Sequence, residues 1–335
     1  MKVLKTVSEL GQLPDGCVLT IGNFDGVHIG HQQNIKVARD IAMLERASLA
    51  VMTFEPHPVA ILHPEKAPGV LTPLPLKIHL LENCGVDYLI ILRDTTSLLR
   101  LSPADFVDKF LLKDVRPKAL VEGDDFNFGA NRAGNIDTLK QMAEPDGFDV
   151  VVVPSKLVKL HTGQSVRVSS TTIRYMLQSG HVADAAFLFG RPYRLIGQII
   201  PGRGKGKQLG FPTLNMQMPS QIIPQEGVYA GFALIGDSEE DVCRSDNPLP
   251  GPSRACREAV FSIGHAVTFS DQHAQLIETH VLDAKLGDLS GKWLAMDFVD
   301  RIRPQQRFES PEILAAQIAK DCDSAKQILA TNKSK

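Results

Sequence analysis

Residues 22–31 read Gly22-Asn23-Phe24-Asp25-Gly26-Val27-His28-Ile29-Gly30-His31. An apolar run from Cys17 to Ile21 precedes them, and a helical pattern from Gln32 to about Glu45 follows. Glycines at 22, 26 and 30 let the backbone approach a ligand with no Cβ in the way. His28 and His31 stand at the mouth of the helix, whose first-turn amides and dipole attract an anion. Strand, glycine turn with Phe24 and Asp25, paired imidazoles and helix start together describe a nucleotide phosphate site. Zinc binding is the competing chemistry, but it needs about three or four ligands. No cysteine or acidic cluster beside the two histidines supplies the others.

Other stretches could also do chemistry. Thr53-Phe54-Glu55-Pro56-His57-Pro58 fixes an extended turn, because a proline lies on each side of His57. In Gly123-Asp124-Asp125-Phe126-Asn127-Phe128-Gly129, the carboxyl of Asp125 and the rings of Phe126 and Phe128 offer an apolar slot with polar groups. Such a slot suits a flat heteroaromatic ligand, although two core phenylalanines beside a turn would read the same way. Ser169-Ser170-Thr171-Thr172-Ile173-Arg174 opens a helix with good caps and an arginine one turn on, a second place for an anion. Further along, Gly202, Gly204, Gly206 and Gly210 alternate with Arg203, Lys205 and Lys207 and lead into Pro212-Thr213-Leu214-Asn215. This spacing is not that of a Walker A loop. It reads as a flexible loop whose amides and cations close over a triphosphate, with a basic nucleic-acid patch as the bland alternative. Glu278 lies among apolar neighbours in Ile277-Glu278-Thr279-His280-Val281.

The elements that must position these residues change character along the chain. Apolar runs at 16–21, 47–54, 86–92, 118–122 and 148–153 alternate with helical patterns near 31–45, 75–84, 103–113 and 134–143. Such alternation predicts a parallel sheet covered on both faces, with ligands at the carboxyl ends of its strands. After about residue 190, turn-rich segments separate strand patterns at 193–201, 227–235, 257–263, 275–283 and 292–302, which predicts a small antiparallel barrel. Residues 309–331 read as one terminal helix, and 236–256 as a polar surface excursion between two strands.

The motif at 22–31 resembles the H-x-G-H signature of nucleotidyltransferases. With the elements at 123–129 and 167–174, it is similar to the adenylyltransferase half of the bacterial bifunctional riboflavin kinase/FAD synthetase family. Pro212-Thr213-Leu214-Asn215 resembles that family's Pro-Thr-Ala-Asn motif, and the resemblance spans about 15–330. It implies an α/β nucleotidyltransferase domain with a Rossmann-like parallel sheet at 1–187. A β-barrel riboflavin kinase domain with a C-terminal helix follows at 188–335. The implied reactions are phosphorylation of riboflavin to FMN and adenylylation of FMN to FAD, using ATP twice with Mg²⁺. In the first module, Gly22, Phe24, Asp25, Gly26, Gly30, Ser169, Ser170 and Thr171 would line the ATP phosphates. His28, His31 and Arg174 would stabilise the transferring and departing groups, and Asp125, Phe126 and Phe128 would face the flavin. In the second, Gly202, Gly204, Gly206, Lys207 and Gly210 would cradle ATP, Thr213 and Asn215 would meet phosphate and Mg²⁺, and Glu278 would accept the riboflavin hydroxyl proton. The chain departs from the family pattern at Ser262, Val267 and Ser290, so a FAD synthetase with a weakened kinase module is the alternative.

Bulk properties narrow the partners. The chain has 335 residues, 43% hydrophobic and 22% charged, with a net charge of −2. That balance makes no electrostatic case for nucleic acid or a membrane surface. Five scattered cysteines with no C-x-x-C pair predict a reducing compartment, and no run reaches the length of a membrane span. Together with an N-terminus lacking a signal-like apolar core, this predicts a cytoplasmic protein acting on small molecules.

Overall fold

Runs rich in valine, isoleucine and leucine become strands, the central ones buried on both faces and the outer two partly exposed. These are β1 (Lys2–Leu4), β2 (Val18–Ile21), β3 (Leu49–Phe54), β4 (Tyr88–Leu92), β5 (Ala119–Gly123) and β6 (Asp149–Val153), with helix α1 (Ile29–Leu44) between β2 and β3. In this computed structural model, which describes residues 1–92, 96–160, 162–202, 204–244, 256–265, 275–284 and 286–333, they pair in parallel in the order β1-β4-β3-β2-β5-β6. The expected parallel sheet is present. Its edge strand β1 escapes sequence reading because three residues carry no usable periodicity. One expected helix, 134–143, starts two residues late. Gly134–Asn135 pairs instead with Asn127–Phe128 in a small hairpin, and the helix runs Ile136–Asp146 with Asn135 as its cap.

Contacts divide the chain into two compact units: Met1–Pro68 with Lys77–Lys159 and Ser165–Val168, and Gly69–Leu76 with Leu160–Gln164 and Ser169–Lys335. The second holds α2 (Ser170–Gln178), α3 (Val182–Phe189), β7 (Tyr193–Ile200), β8 (Leu214–Met216), β9 (Gly227–Gly236), β10 (Cys256–His265), β11 (Gln275–Val281), β12 (Trp293–Arg303) and α4 (Pro311–Lys333). Its strands close into the expected antiparallel barrel, in the order β7-β8-β11-β10-β9-β12. Sequence reading gives five of these strands and misses β8, three residues long directly after the Pro212 turn. The polar stretch from 236 begins with a short helix, Glu239–Arg244, and the rest of it, 245–255, lies outside the described residues.

Alternation along the barrel strands explains why β9 is buried on both sides. Tyr229, Phe261 and Phe298 pack together, with ring centroids 5.0–5.3 Å apart. The alternate residues Val228, Ala230, Phe232, Val260 and Val299 pack against Cys322, Ala325 and Leu329 of α4. A bidentate ion pair from Arg303 to Asp321, at 2.8–3.1 Å, ties α4 to β12. Across β7 and β12, Arg194 and Asp297 are register partners and form a buried bidentate pair with two contacts of 2.7 Å. Removing one partner would strand a charge that is only 7% exposed. Asp297→Ala is therefore expected to cost about 3–5 kcal/mol of stability, read as a lowered denaturant midpoint, far more than the loss of a surface pair.

Gln221 closes a gap in this barrel. Because β8 is short, the edge of β7 near Arg194 and Ile196 has no strand beside it. The Gln221 amide takes that place, accepting from Ile196 N–H (2.9 Å) and donating to the carbonyls of Arg194 (2.8 Å) and Leu71 (3.0 Å). Among the described residues no helix is long and apolar enough to cross a membrane.

Candidate active sites

In the first unit, β2 ends at Ile21 and the chain turns through Gly22–Val27 into α1. Gly26 adopts φ +99°, a conformation that costs glycine little. Phe24 (φ 44°) and Val27 (φ 38°) also lie in the left-handed region, which is strained for their types, and both are almost fully buried. Strain held by burial is common where a backbone must be aimed at a ligand. Two bonds brace the turn: Gln32 Nε2 donates to Val27 O (2.8 Å), and Thr53 Oγ1 donates to Asn23 O (2.9 Å).

The two histidines meet. Their rings stack with centroids 3.6 Å apart and planes 12° apart, and the Phe24 ring lies 5.1 Å from His31. His28 is the N-cap of α1: its Nδ1 accepts from His31 N–H at 3.2 Å. In the neutral ring that contact puts the proton on Nε2 and makes Nε2 a donor. Gly30 keeps this contact uncrowded, since a Cβ there would lie 3.2 Å from His28 Nδ1 and Cε1 and push on that ring. Asp25 is buried beside this loop.

At the carboxyl end of β5, the hydroxyl and amide of Ser155 hold the Asp124 carboxylate below the usual range. Arg167 pairs with Asp125 at 2.8 Å and Asp124 at 3.4 Å. Phe128 packs in the sheet's core against Phe106, with Phe126 half-buried against it and Asp125 exposed. In the second unit, Ser169 caps α2, accepting from Thr172 N–H at 3.1 Å. Ser170 is half-buried and Thr171 exposed on that first turn. Arg174 Nε donates to Gly69 O at 2.7 Å, so part of the guanidinium holds backbone.

The barrel brings a third set together. Asn215 and Glu278 are register partners on β8 and β11, and Thr213 Oγ1 donates to Glu278 Oε1 at 3.4 Å. Burial holds the Glu278 carboxyl above the usual glutamate range, and the Thr213 hydroxyl pulls it partly back. Gly202 lies against the Asn215 amide, where a Cβ would sit 2.0 Å from Nδ2. Gly206 likewise faces the Phe211 carbonyl, and Gly204 and Gly210 take left-handed φ. Lys207 is exposed on a single helical turn, Lys205–Gln208, within this segment, and Arg203 lies outside the described residues. His280, which sequence reading did not single out, donates through Nδ1 to Pro212 O (2.8 Å) and meets the Phe211 ring edge-on, fixing the turn before Thr213. Of the three departures, Ser262 accepts from Gln305 Nε2 at 3.0 Å and Ser290 donates to Asp288 at 2.7 Å, while Val267 lies outside the described residues. A cavity of about 340 Å³ adjoins β8, lined by Ile196, Gln198, Gln217, Met218, Glu239 and Trp293 among others.

Family models match both halves: FAD synthetase over residues 11–172 and riboflavin kinase over 189–329. The chain is 36% identical to the bifunctional riboflavin kinase/FMN adenylyltransferase of Escherichia coli strain K12, covering 99% of both chains. The chain belongs to the bifunctional riboflavin kinase/FMN adenylyltransferase family. A bifunctional relative from Listeria monocytogenes is 34% identical, with 91% of this chain and 90% of that protein covered. A crystal structure from Streptococcus pneumoniae titled as a macrolide-efflux protein matches with a TM-score of 0.80 at 27% identity, covering 97% of this chain and 98% of that one. That likeness extends the two-part architecture, and both family modules are present here. As a family member this chain is an enzyme with both modules, so the reading as a FAD synthetase with a weakened kinase module is set aside.

Proposed function

We propose that this chain phosphorylates riboflavin to FMN in the barrel module, adenylylates FMN to FAD in the sheet module, and works in the cytoplasm. The observation that carries the reading is the Thr213–Glu278 contact beside Asn215 in the same chain that holds the stacked His28 and His31. The functional boundary falls at 187/188, in keeping with family matches that end at 172 and resume at 189.

In adenylyl transfer an FMN phosphate oxygen attacks the α-phosphorus of ATP and pyrophosphate leaves. Positioning and charge stabilisation supply most of the acceleration. His28 and His31 steady the α-phosphate oxygens. Ser169, Ser170, Thr171 and Arg174, with the amides of the α2 first turn, make a place suited to a phosphate anion, and Asp125 and Phe126 border the flavin.

In phosphorylation, Glu278 takes the proton of the riboflavin 5′-hydroxyl as its oxygen attacks the γ-phosphorus of ATP, and ADP leaves. The glycine loop and Lys207 close over the phosphates. Thr213 and Asn215 offer a hydroxyl and a carboxamide beside a carboxylate, a set of oxygen donors suited to Mg²⁺. When bound, Mg²⁺ would neutralise phosphate charge there.

The cavity takes the adenine base of the kinase nucleotide. Gln217 lies two residues beyond Asn215, and Gln198 precedes Ile199 and Ile200, the partners of Met216 and Asn215. Trp293→Ala is expected to raise the KM for ATP in phosphorylation by about three- to tenfold, the scale of one aromatic contact, and to leave FMN adenylylation unchanged in steady-state assays of both reactions.

The direct test of the whole reading is incubation of the protein with riboflavin, ATP and Mg²⁺ and chromatography of the products. FMN should appear first and FAD after it. Failure to consume ATP with either flavin would overturn the assignment.

A further inference from the structure

Glu122 is a carboxyl side chain in the middle of an apolar sheet, only 2% exposed, and neither reaction uses it. It lies on β5 opposite Val152 of β6. The charged group acting on it is Asp125, of like sign, and burial holds the Glu122 carboxyl well above the usual range. A buried acid of this kind invites a reason.

The reason lies in how β2 and β5 part. In a parallel ladder, alternate residues of a strand face opposite neighbours. On the β3 side of β2, Val18 N–H donates to Ser48 O and Gly22 N–H to Met52 O. On the β5 side, pairing runs through Val18–Ala119 and Leu19–Leu120 and then stops. Ile21 is next on that side, and its N–H donates to Glu122 Oε1 at 2.6 Å in place of a ladder carbonyl. From β2 the chain proceeds through α1 to β3 on one side, while β5 lies on the other, so this is where the strand order reverses. In doubly wound sheets, ligands bind in the crevice at that point. Gly22, the first residue of the phosphate loop, follows Ile21 directly.

We propose that Glu122 is a positioning residue for adenylyl transfer: its carboxyl replaces a strand carbonyl at Ile21 and props β2 and β5 apart beneath the phosphate loop. The proposal rests on the reading of residues 22–31 as the adenylyl-transfer site. It requires an acceptor of the right reach and does not require a charge.

The test uses the full chain with three substitutions, E122Q, E122D and E122L. Steady-state kinetics of FAD formation from FMN and ATP give kcat and KM separately, thermal melts followed by far-UV circular dichroism report on the fold, riboflavin phosphorylation by the same samples reports on the barrel module, and NMR hydrogen exchange reads the Ile21 amide. E122Q keeps an acceptor at the same reach and should stay within about threefold of the natural protein in every readout. E122D withdraws the acceptor by one methylene and E122L removes it. Each should lower kcat for FAD formation by about 10- to 100-fold, the scale of a small misplacement of reacting groups. Each should also speed exchange at Ile21 and leave phosphorylation intact. Should E122L also lose phosphorylation, E122D decides. Full kcat and unchanged Ile21 exchange in E122D would overturn the proposal, as would E122Q falling as far as E122D. If the natural protein itself makes no FAD from FMN and ATP, the reading of the phosphate loop fails instead.

Discussion

His28→Ala should lower FMN adenylylation by about 100- to 1,000-fold, the usual loss when one donor to a developing phosphate charge is removed. It should leave riboflavin phosphorylation unchanged. Two effects compete in this variant. His28 also caps α1 through its bond from His31 N–H, and losing such a cap costs about 0.5–2 kcal/mol of stability. A 100- to 1,000-fold rate loss corresponds to about 2.7–4 kcal/mol of transition-state stabilisation, so catalysis should suffer more than folding. His28→Asn separates the two. Asparagine is a good N-cap, so this variant should recover thermal stability while remaining poor in adenylylation. If His28→Asn restores the rate as well as the stability, the imidazole acts only as a cap.

Glu278→Gln should reduce FMN formation by about 100- to 10,000-fold, the range for loss of a general base, while adenylylation of supplied FMN continues. The pH dependence gives an independent check. Burial raises the Glu278 pKa above the ordinary glutamate value, and only the ionised carboxylate can take the hydroxyl proton. Phosphorylation should therefore be full above that raised pKa and fall as the pH drops through it. The acid limb should lie higher than an ordinary exposed glutamate would give. In Glu278→Gln the residual rate should lose this limb. A residual profile with the same limb would assign it to another group.

Legibility in the sequence followed distance along the chain. His28, Gly30 and His31 lie within one helical turn, and their spacing is short enough to bring the rings together and to favour a small residue between them. The Ser169 cap acts on Thr172, and Thr213 stands two residues before Asn215. Short-range geometry of this sort is written in residue order. The parallel sheet was legible for a related reason, because strands buried on both faces read as nearly continuous apolar runs. The strands missed include Lys2–Leu4, Leu157–Lys159, Ser165–Arg167 and Leu214–Met216, three residues each and too short for any period to show.

Pattern alone left other groups without a role. His280 reads as one polar residue on a strand until the fold brings it to the Pro212 carbonyl, 68 positions away. Gln221 reads as a loop residue, yet its amide completes the edge of a barrel strand. Phe126 and Phe128 looked alike, and packing divided them into a half-buried ring and a core ring.

Residue order is enough to place a glycine turn with two histidines at the start of a helix after a strand, a glycine-rich basic segment before Thr213-Leu214-Asn215, and sheet before barrel. Folding alone sets Glu278 opposite Asn215 with its proton affinity raised, and brings Glu122 to Ile21 across 101 positions where two strands separate. Local spacing is imposed by the covalent chain. Register between distant strands, and the loss of water that shifts a carboxyl's pKa, arise only when the folded chain buries them together.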